Sequence, residues 1–224
     1  MSSSSPSARH AILSSLRAAG AVTPVEAPRL EEYYAAISPG SDRVATFVAA
    51  ARGWRAEVIE TTDDAWPQAL MDVLDAKSVR HLLAGRNTPL SPRLEAALQD
   101  GRLLWYESAI DEIKTTLFDT VDAGITTTLG GIVETGSLIL WPDADEPRTL
   151  SLVPPLHIAV LHEDRLFDTL YAAIHAQRWV DGLPANALLI TGPSKTSDIQ
   201  RLLVYGAHGP RELVILLIRS GRTS

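Results

Sequence analysis

The chain has no cysteine among its 224 residues. That excludes disulfides, cysteine-based zinc sites, a cysteine nucleophile and an iron–sulfur cluster held by its own thiolates. Any electron carrier it works with must sit on another molecule. Positive charge is also scarce: 20 Lys and Arg stand against 27 Asp and Glu, for a formal net charge of −7. Such a surface repels phosphate backbones, and no Lys/Arg stripe is interleaved with aromatics, so no nucleic-acid partner is expected. Long apolar runs are missing too. None reaches the ~18 residues of a membrane span, and the Ser-rich start, Met1 to Ala8, lacks the apolar stretch of a signal peptide. The expected location is the cytoplasm.

What remains is ordinary globular material. Apolar residues make up 46% and charged residues 21%, enough for a core and too apolar for a disordered polymer. The length fits one large α/β domain with an N-terminal helical extension. Residues 1–53 read as the tail and extension: helices over His10–Ala19, Leu30–Ile37 and Asp42–Arg52, broken by prolines and by Ser38-Pro39-Gly40. Residues 54–224 read as the α/β domain. Strands at Ala56–Glu60, Val79–Ala84 and Arg102–Tyr106 alternate with helices at Asp63–Ala76 and Pro92–Gln99. That rhythm predicts βαβ units in a mostly parallel open sheet with helices on both faces. Val121 to Trp141, rich in Thr, Gly, Ile and Val, predicts strands joined by tight turns. Pro142 to Arg148 is an acidic loop. Beyond it come a strand at His157–Leu161, a helix over Asp164–Arg178, a strand at Ala187–Thr191, a helix over Asp198–Val204 and a last strand at Leu213–Ile218.

Four segments carry candidate chemistry. Glu134, in Ile132-Val133-Glu134-Thr135-Gly136-Ser137-Leu138, is an acid beside a tight turn. It is either aimed into a cleft as a base or an edge carboxylate facing water. Gly192-Pro193-Ser194-Lys195-Thr196-Ser197-Asp198 follows an apolar strand and is expected to open a helix. Gly192 permits close backbone approach, Ser194 and Thr196 offer hydroxyls and Lys195 a positive charge, which together suit a phosphate or carboxylate. The same Ser, Thr and Asp also serve as plain helix caps, and the spacing is not that of a P-loop. His208, in Gly206-Ala207-His208-Gly209-Pro210, sits on a shaped loop as a proton donor or anion ligand, or as a bystander to a helix stop. His157, after Pro154-Pro155, either lines a cleft or bonds a neighbouring loop. His157 and His162 lack a third ligand, so no metal site is expected. Ser137, His208 and Asp198 make a triad only on paper, because no nucleophile elbow is present.

Taken in order, these segments resemble the LUD (lactate-utilisation) domain family, and within it the small subunit type called lactate-utilisation protein C. The match runs through Gly124-Ile125-Thr126, Ile132, Glu134-Thr135-Gly136-Ser137-Leu138, Ser151-Leu152, Pro154, His157-Ile158, Gly192-Pro193-Ser194-Lys195-Thr196, Asp198-Ile199, Gly206, His208-Gly209-Pro210 and Leu213. It is good over residues 121–218. Residues 54–120 fit in rhythm only, and residues 1–53 hardly at all. The family commonly has an acid at Leu129, often Arg at Lys195 and Val at Ala207. Lys195 keeps the charge but loses the guanidinium fork. Leu129 alters any site to which that acid contributes.

The resemblance implies a fold similar to the sugar-phosphate isomerase and CoA-transferase superfamily. It implies a cluster-free subunit in the oxidation of L-lactate to pyruvate, with Cys-rich iron–sulfur oxidoreductase subunits as partners. In that reading the chain binds a small anionic metabolite or docks the redox subunits. The alternatives are a stand-alone enzyme or binder for a phosphorylated or CoA-linked metabolite, and a pure interaction module. All converge on one expected cleft. Glu134 and His208 would move protons there, and Gly192, Ser194, Lys195, Thr196 and His157 would bind the anion.

Overall fold

The computed structural model describes residues 8–19, 29–35, 42–107, 110–197, 203–206 and 209–220. The chain divides into two compact units, Met1–Ala36 and Ile37–Ser224. The first holds α1 (Ala8–Ala18) and α2 (Leu30–Ala35). In α1 the apolar stripe of Ile12, Leu13 and Leu16 is exposed.

The second unit begins its described elements with α3 (Arg43–Gly53), capped by Asp42, whose carboxylate accepts from the Ala45 N–H at 2.9 Å. It continues through β1 (Glu57–Thr62), α4 (Trp66–Ala76), β2 (Leu82–Gly85), α5 (Ser91–Ala97), β3 (Leu103–Tyr106) and α6 (Ile110–Asp119). Then come β4 (Ala123–Thr127), β5 (Gly130–Ile132), β6 (Ser137–Leu140), α7 (Thr149–Leu152), β7 (Leu156–His162), β8 (Leu166–Phe167) and α8 (Leu170–Ala176). The last strands are β9 (Leu188–Ile190), β10 (Lys195–Ser197), β11 (Leu203–Tyr205) and β12 (Glu212–Arg219).

Six strands form one parallel sheet in the order β1-β12-β7-β4-β2-β3. The sequence accounts for this. A parallel sheet covered on both faces needs strands that are apolar at every position. Along β12, Val214, Leu216 and Ile218 enter one core cluster with Trp66, Leu70 and Leu74 of α4 and Leu94 of α5. Leu213, Ile215 and Leu217 enter another with Val44, Phe47, Val48 and Ala51 of α3. On this second face a smaller sheet, β8-β5-β6-β9, lies over the first through Leu138 and Leu140. The expected α/β class, with helices on both faces, is what the chain adopts.

Four local readings change. The sequence places α3 in the N-terminal extension. Instead Phe47 is fully buried in the core of the second unit, so the boundary lies at Ala36/Ile37. A helix absent from the sequence reading, α6, packs Leu117 beside Leu83, Tyr106, Val121 and Leu150. The helix expected over Asp164–Arg178 shrinks to α8. Leu166 pairs with Gly131, Asp168 binds Arg43, and Thr169 caps the helix by accepting from the Ala172 N–H at 3.1 Å. Finally, where a helix over Asp198–Val204 was expected, Leu203–Tyr205 is a strand paired antiparallel with Lys195–Ser197. Residues 198–202 lie outside the described residues.

Candidate functional site

His157 is the second residue of β7, at the amino end of the sheet, and is 1% exposed. Its Nε2 meets Thr126 Oγ1 on the adjacent strand β4 at 2.9 Å. Its Nδ1 is buried with no hydrogen-bond partner among the described residues. Burial holds the ring neutral, lowering its pKa from 6.5 to about 3. A buried, unsatisfied polar atom costs about 1–3 kcal/mol, so it calls for an explanation.

His157 lines a cavity of about 220 Å³, and Thr191, Gly192, Pro193, Ser194 and Gly209 form its opposite wall. Gly192 is required there. Its φ is +80°, and a Cβ would meet the Trp54 carbonyl oxygen at 2.3 Å. Ser194 donates its backbone N–H to Pro210 O at 2.8 Å and accepts from the Gly206 N–H at 3.0 Å. The loop that carries His208 therefore flanks Ser194; His208 itself lies outside the described residues. Among the described residues, no carboxylate lines this cavity. Exposed Lys195 follows Ser194 as the first residue of β10.

Of the residues singled out from sequence, the cavity thus joins His157, Gly192 and Ser194, with Lys195 next in the chain. Thr196 is in β10, opposite Val204. Glu134 is not a cavity residue: it is exposed in the turn from β5 to β6, its N–H bonded to Asp168 O at 3.1 Å. Its neighbour Thr135 is linked to the cavity wall only through Ser137. Thr135 Oγ1 lies 2.8 Å from Ser137 Oγ, which lies 2.6 Å from Thr191 Oγ1. The expected helix N-terminus for an anion is absent from Lys195–Ser197, because these residues are extended and pair with β11.

A second constellation was not anticipated. At the carboxyl end of β4, Glu146 from the acidic loop accepts from the Thr127 N–H at 3.0 and 3.2 Å and from the Thr127 hydroxyl. Burial pushes its pKa up, aided by Asp143 and Asp145 and opposed by the Thr127 bonds. Thr127, Thr128 and Leu129 face a crevice of about 360 Å³ with Trp141, Asp143, Gln177 and Trp179. The position of Leu129, where a family acid was expected, is a wall of this crevice. The signal in the sequence was the acidic loop directly after Trp141, opposite a Thr-rich strand end.

Residues 44–218 match the LUD domain. The chain belongs to the LUD domain family. An uncharacterized protein of Neisseria meningitidis serogroup B is 39% identical over 219 residues, 95% of this chain and 94% of that protein. Lactate utilization protein C of Deinococcus radiodurans is 39% identical over 103 residues, 45% of this chain and 48% of its own length. Lactate utilization protein C of Macrococcus caseolyticus is 24% identical over 167 residues, 72% of this chain and 71% of that protein. The match thus spans about half of the Deinococcus relative. A solved DUF162-family protein from the same Deinococcus species shares the fold, with a TM-score of 0.58, 23% identity and coverage of 80% of this chain and 99% of that one. In this LUD domain, no described helix is long and apolar enough to cross a membrane. No group of three or more His, Asp or Glu among the described residues is arranged to hold a metal.

Proposed function

We propose that this LUD-domain protein acts in lactate utilisation as a cytoplasmic subunit without a cluster of its own, binding a small 2-hydroxy or 2-keto acid in the amino-end cavity. One observation carries the reading: the buried, unpartnered Nδ1 of His157 in a cavity shared with Ser194. A hydroxyl or keto oxygen of the ligand would satisfy that nitrogen if the ring turns slightly toward the cavity, since Nδ1 is itself buried. The carboxylate would turn toward the Ser194 hydroxyl and the charge of Lys195, where none of the described lining residues is a carboxylate. At about 220 Å³ the space falls below the ~300–1,000 Å³ of drug-sized ligand sites, which suits a compact acid.

Oxidation of L-lactate to pyruvate releases two electrons and two protons. With zero cysteines this chain has no thiolates for a cluster, so the electrons would pass to Cys-rich iron–sulfur partner subunits. The relatives named lactate utilization protein C support this setting. His208 and Glu134 remain candidates for proton movement; the Thr135–Ser137–Thr191 hydroxyl chain runs from the residue after Glu134 to the cavity wall.

Calorimetric titration of the purified protein with L-lactate and pyruvate tests the binding. Saturable binding that is lost in His157→Leu is the expected result. Absence of binding to either acid, together with unimpaired growth of a deletion strain on L-lactate, would overturn the reading. A thermal shift with phosphorylated or CoA-linked compounds instead would favour the stand-alone enzyme or binder.

A further inference from the structure

The crevice at the carboxyl end of β4 shares no lining residue with the amino-end cavity. It lies where open α/β sheets ordinarily receive ligands, beyond the carboxyl ends of parallel strands. Its chemistry is the reverse of the cavity's. The walls are aromatic: Trp141 and Trp179 meet edge to face, ring centroids 5.0 Å apart. Among the described residues that line it, Asp143 is the only ionisable one, and none is a lysine or arginine; Glu146 and Arg148 line the adjoining hollow behind Thr127 and Trp141.

Its hydrogen-bonding capacity is equally one-sided. Thr127 donates its hydroxyl to Glu146, and Thr128 donates to Val160 O at 2.9 Å. Gln177 Nε2 donates to Leu129 O at 2.9 Å, and Trp179 Nε1 donates to Gln177 Oε1 at 2.9 Å. These donors are turned into the protein. Toward the space stand hydroxyl lone pairs, indole faces and the Asp143 carboxylate, one oxygen of which already accepts from the Asp145 and Glu146 N–H groups. An anion would meet negative charge and few donors. A cation would meet the Asp143 carboxylate and two indole side chains, the kinds of group that hold ammonium and guanidinium ions.

We infer that this crevice is a second ligand site, selective for a cationic nitrogen group, an ammonium or guanidinium. The group arrives on a free metabolite or on a lysine or arginine side chain of a partner; the chemistry of recognition is the same.

The chain contains five tryptophans, so indole N–H resonances give a site-specific readout. Uniformly ¹⁵N-labelled protein is titrated with choline and agmatine as free cations, and with N-acetyl-lysine methylamide and N-acetyl-arginine methylamide as side-chain mimics. Sodium lactate is the anionic control, and Trp141→Phe and Trp179→Phe assign the signals. Saturable shifts of the Trp141 and Trp179 signals with a cation, weakened roughly tenfold in Asp143→Asn, are expected. Asparagine keeps an oxygen for the Asp145 and Glu146 N–H groups, so this variant retains the turn. Response to the free cations points to a metabolite, and response to the side-chain mimics alone points to a partner's side chain. No saturable shift with any cation, an equal shift with lactate, or an Asp143→Asn affinity equal to wild type would each overturn the inference.

Discussion

The two ends of the parallel sheet hold two titratable groups, one buried and one half-buried, whose ionisation is displaced in opposite senses. At the amino end, His157 is kept neutral by burial among apolar strands, with one hydroxyl partner. At the carboxyl end, Glu146 is also desolvated, but accepts from Thr127 and sits near Asp143 and Asp145, so its proton is held more tightly than usual. Both shifts come from the cost of charge in a low-dielectric site, and they penalise opposite ends of the pH scale. The amino end is a neutral, hydroxyl-lined cavity with lysine at its edge. The carboxyl end is an aromatic, acidic crevice. The two proposed sites would therefore take ligands of opposite charge at opposite ends of one sheet.

The largest expected effect separates the rigidity of the two ends. Gly192→Ala puts a Cβ 2.3 Å from the Trp54 carbonyl at a φ of +80°, and should cost about 3 kcal/mol in urea unfolding. Gly182, beside the carboxyl-end crevice, has open space around its Cβ position and an extended φ of 174°. Gly182→Ala should therefore leave the unfolding midpoint nearly unchanged. Equal losses at both glycines would break the comparison.

His157→Leu comes next. Between pH 6.5 and about 3 the unfolded chain binds a proton on this imidazole that the folded chain refuses, so wild-type stability falls as pH falls through that interval. The variant should lose this part of the acid slope in denaturation curves. An unchanged slope would mean that His157 protonates freely in the fold.

Glu146→Gln should act in the reverse direction and more weakly. With a raised folded pKa, the unfolded chain gives up its proton first as pH rises above the usual value of 4.5, and the folded chain loses stability until Glu146 itself ionises. Removing the ionisation should flatten that decline. A steeper decline in the variant would contradict the assignment. Smallest of all, Lys195→Ala should change stability by no more than about 0.5 kcal/mol, because the side chain is exposed, while weakening the binding of pyruvate. A large fall in melting temperature would make Lys195 a structural residue of β10.

Much of the sheet was legible before any coordinates. The apolar runs Ile158–Leu161 and Leu213–Ile218, short and rich in Val, Ile and Leu, read as strands covered on both faces, and they lie in β7 and β12. The helices misread are those where local pattern and tertiary pairing disagree. Asp164–Phe167 has helical spacing, yet Leu166 and Phe167 are used by β5 as a parallel neighbour. Leu203–Tyr205 reads as helical in isolation, but pairs with β10. Segments this short have weak intrinsic preferences, and a neighbouring strand outweighs them.

Of the candidate site, residue types were legible and partnerships were not. Glu134 looked like a base because it is an acid beside glycine. The turn that Gly136 permits packs on α3, where a Cβ would meet the Ala51 nitrogen at 2.3 Å, and leaves Glu134 in water. Glu146 looked like one of several loop acids, and became distinctive only because the loop folds back onto Thr127.

The sequence alone therefore determined the α/β class, the absence of any thiolate ligand, and the residue types offered at His157, Gly192, Ser194 and Lys195. These follow from composition and from short-range periodicity, which each segment carries within itself. Tertiary structure alone decided that β12, the last strand, inserts between β1 and β7, and that α3 joins the core. It also set His157 across a cavity from Ser194 while Glu146 closed on Thr127 at the other end. Those contacts depend on strand order, and strand order is set by which apolar faces bury together across the whole chain.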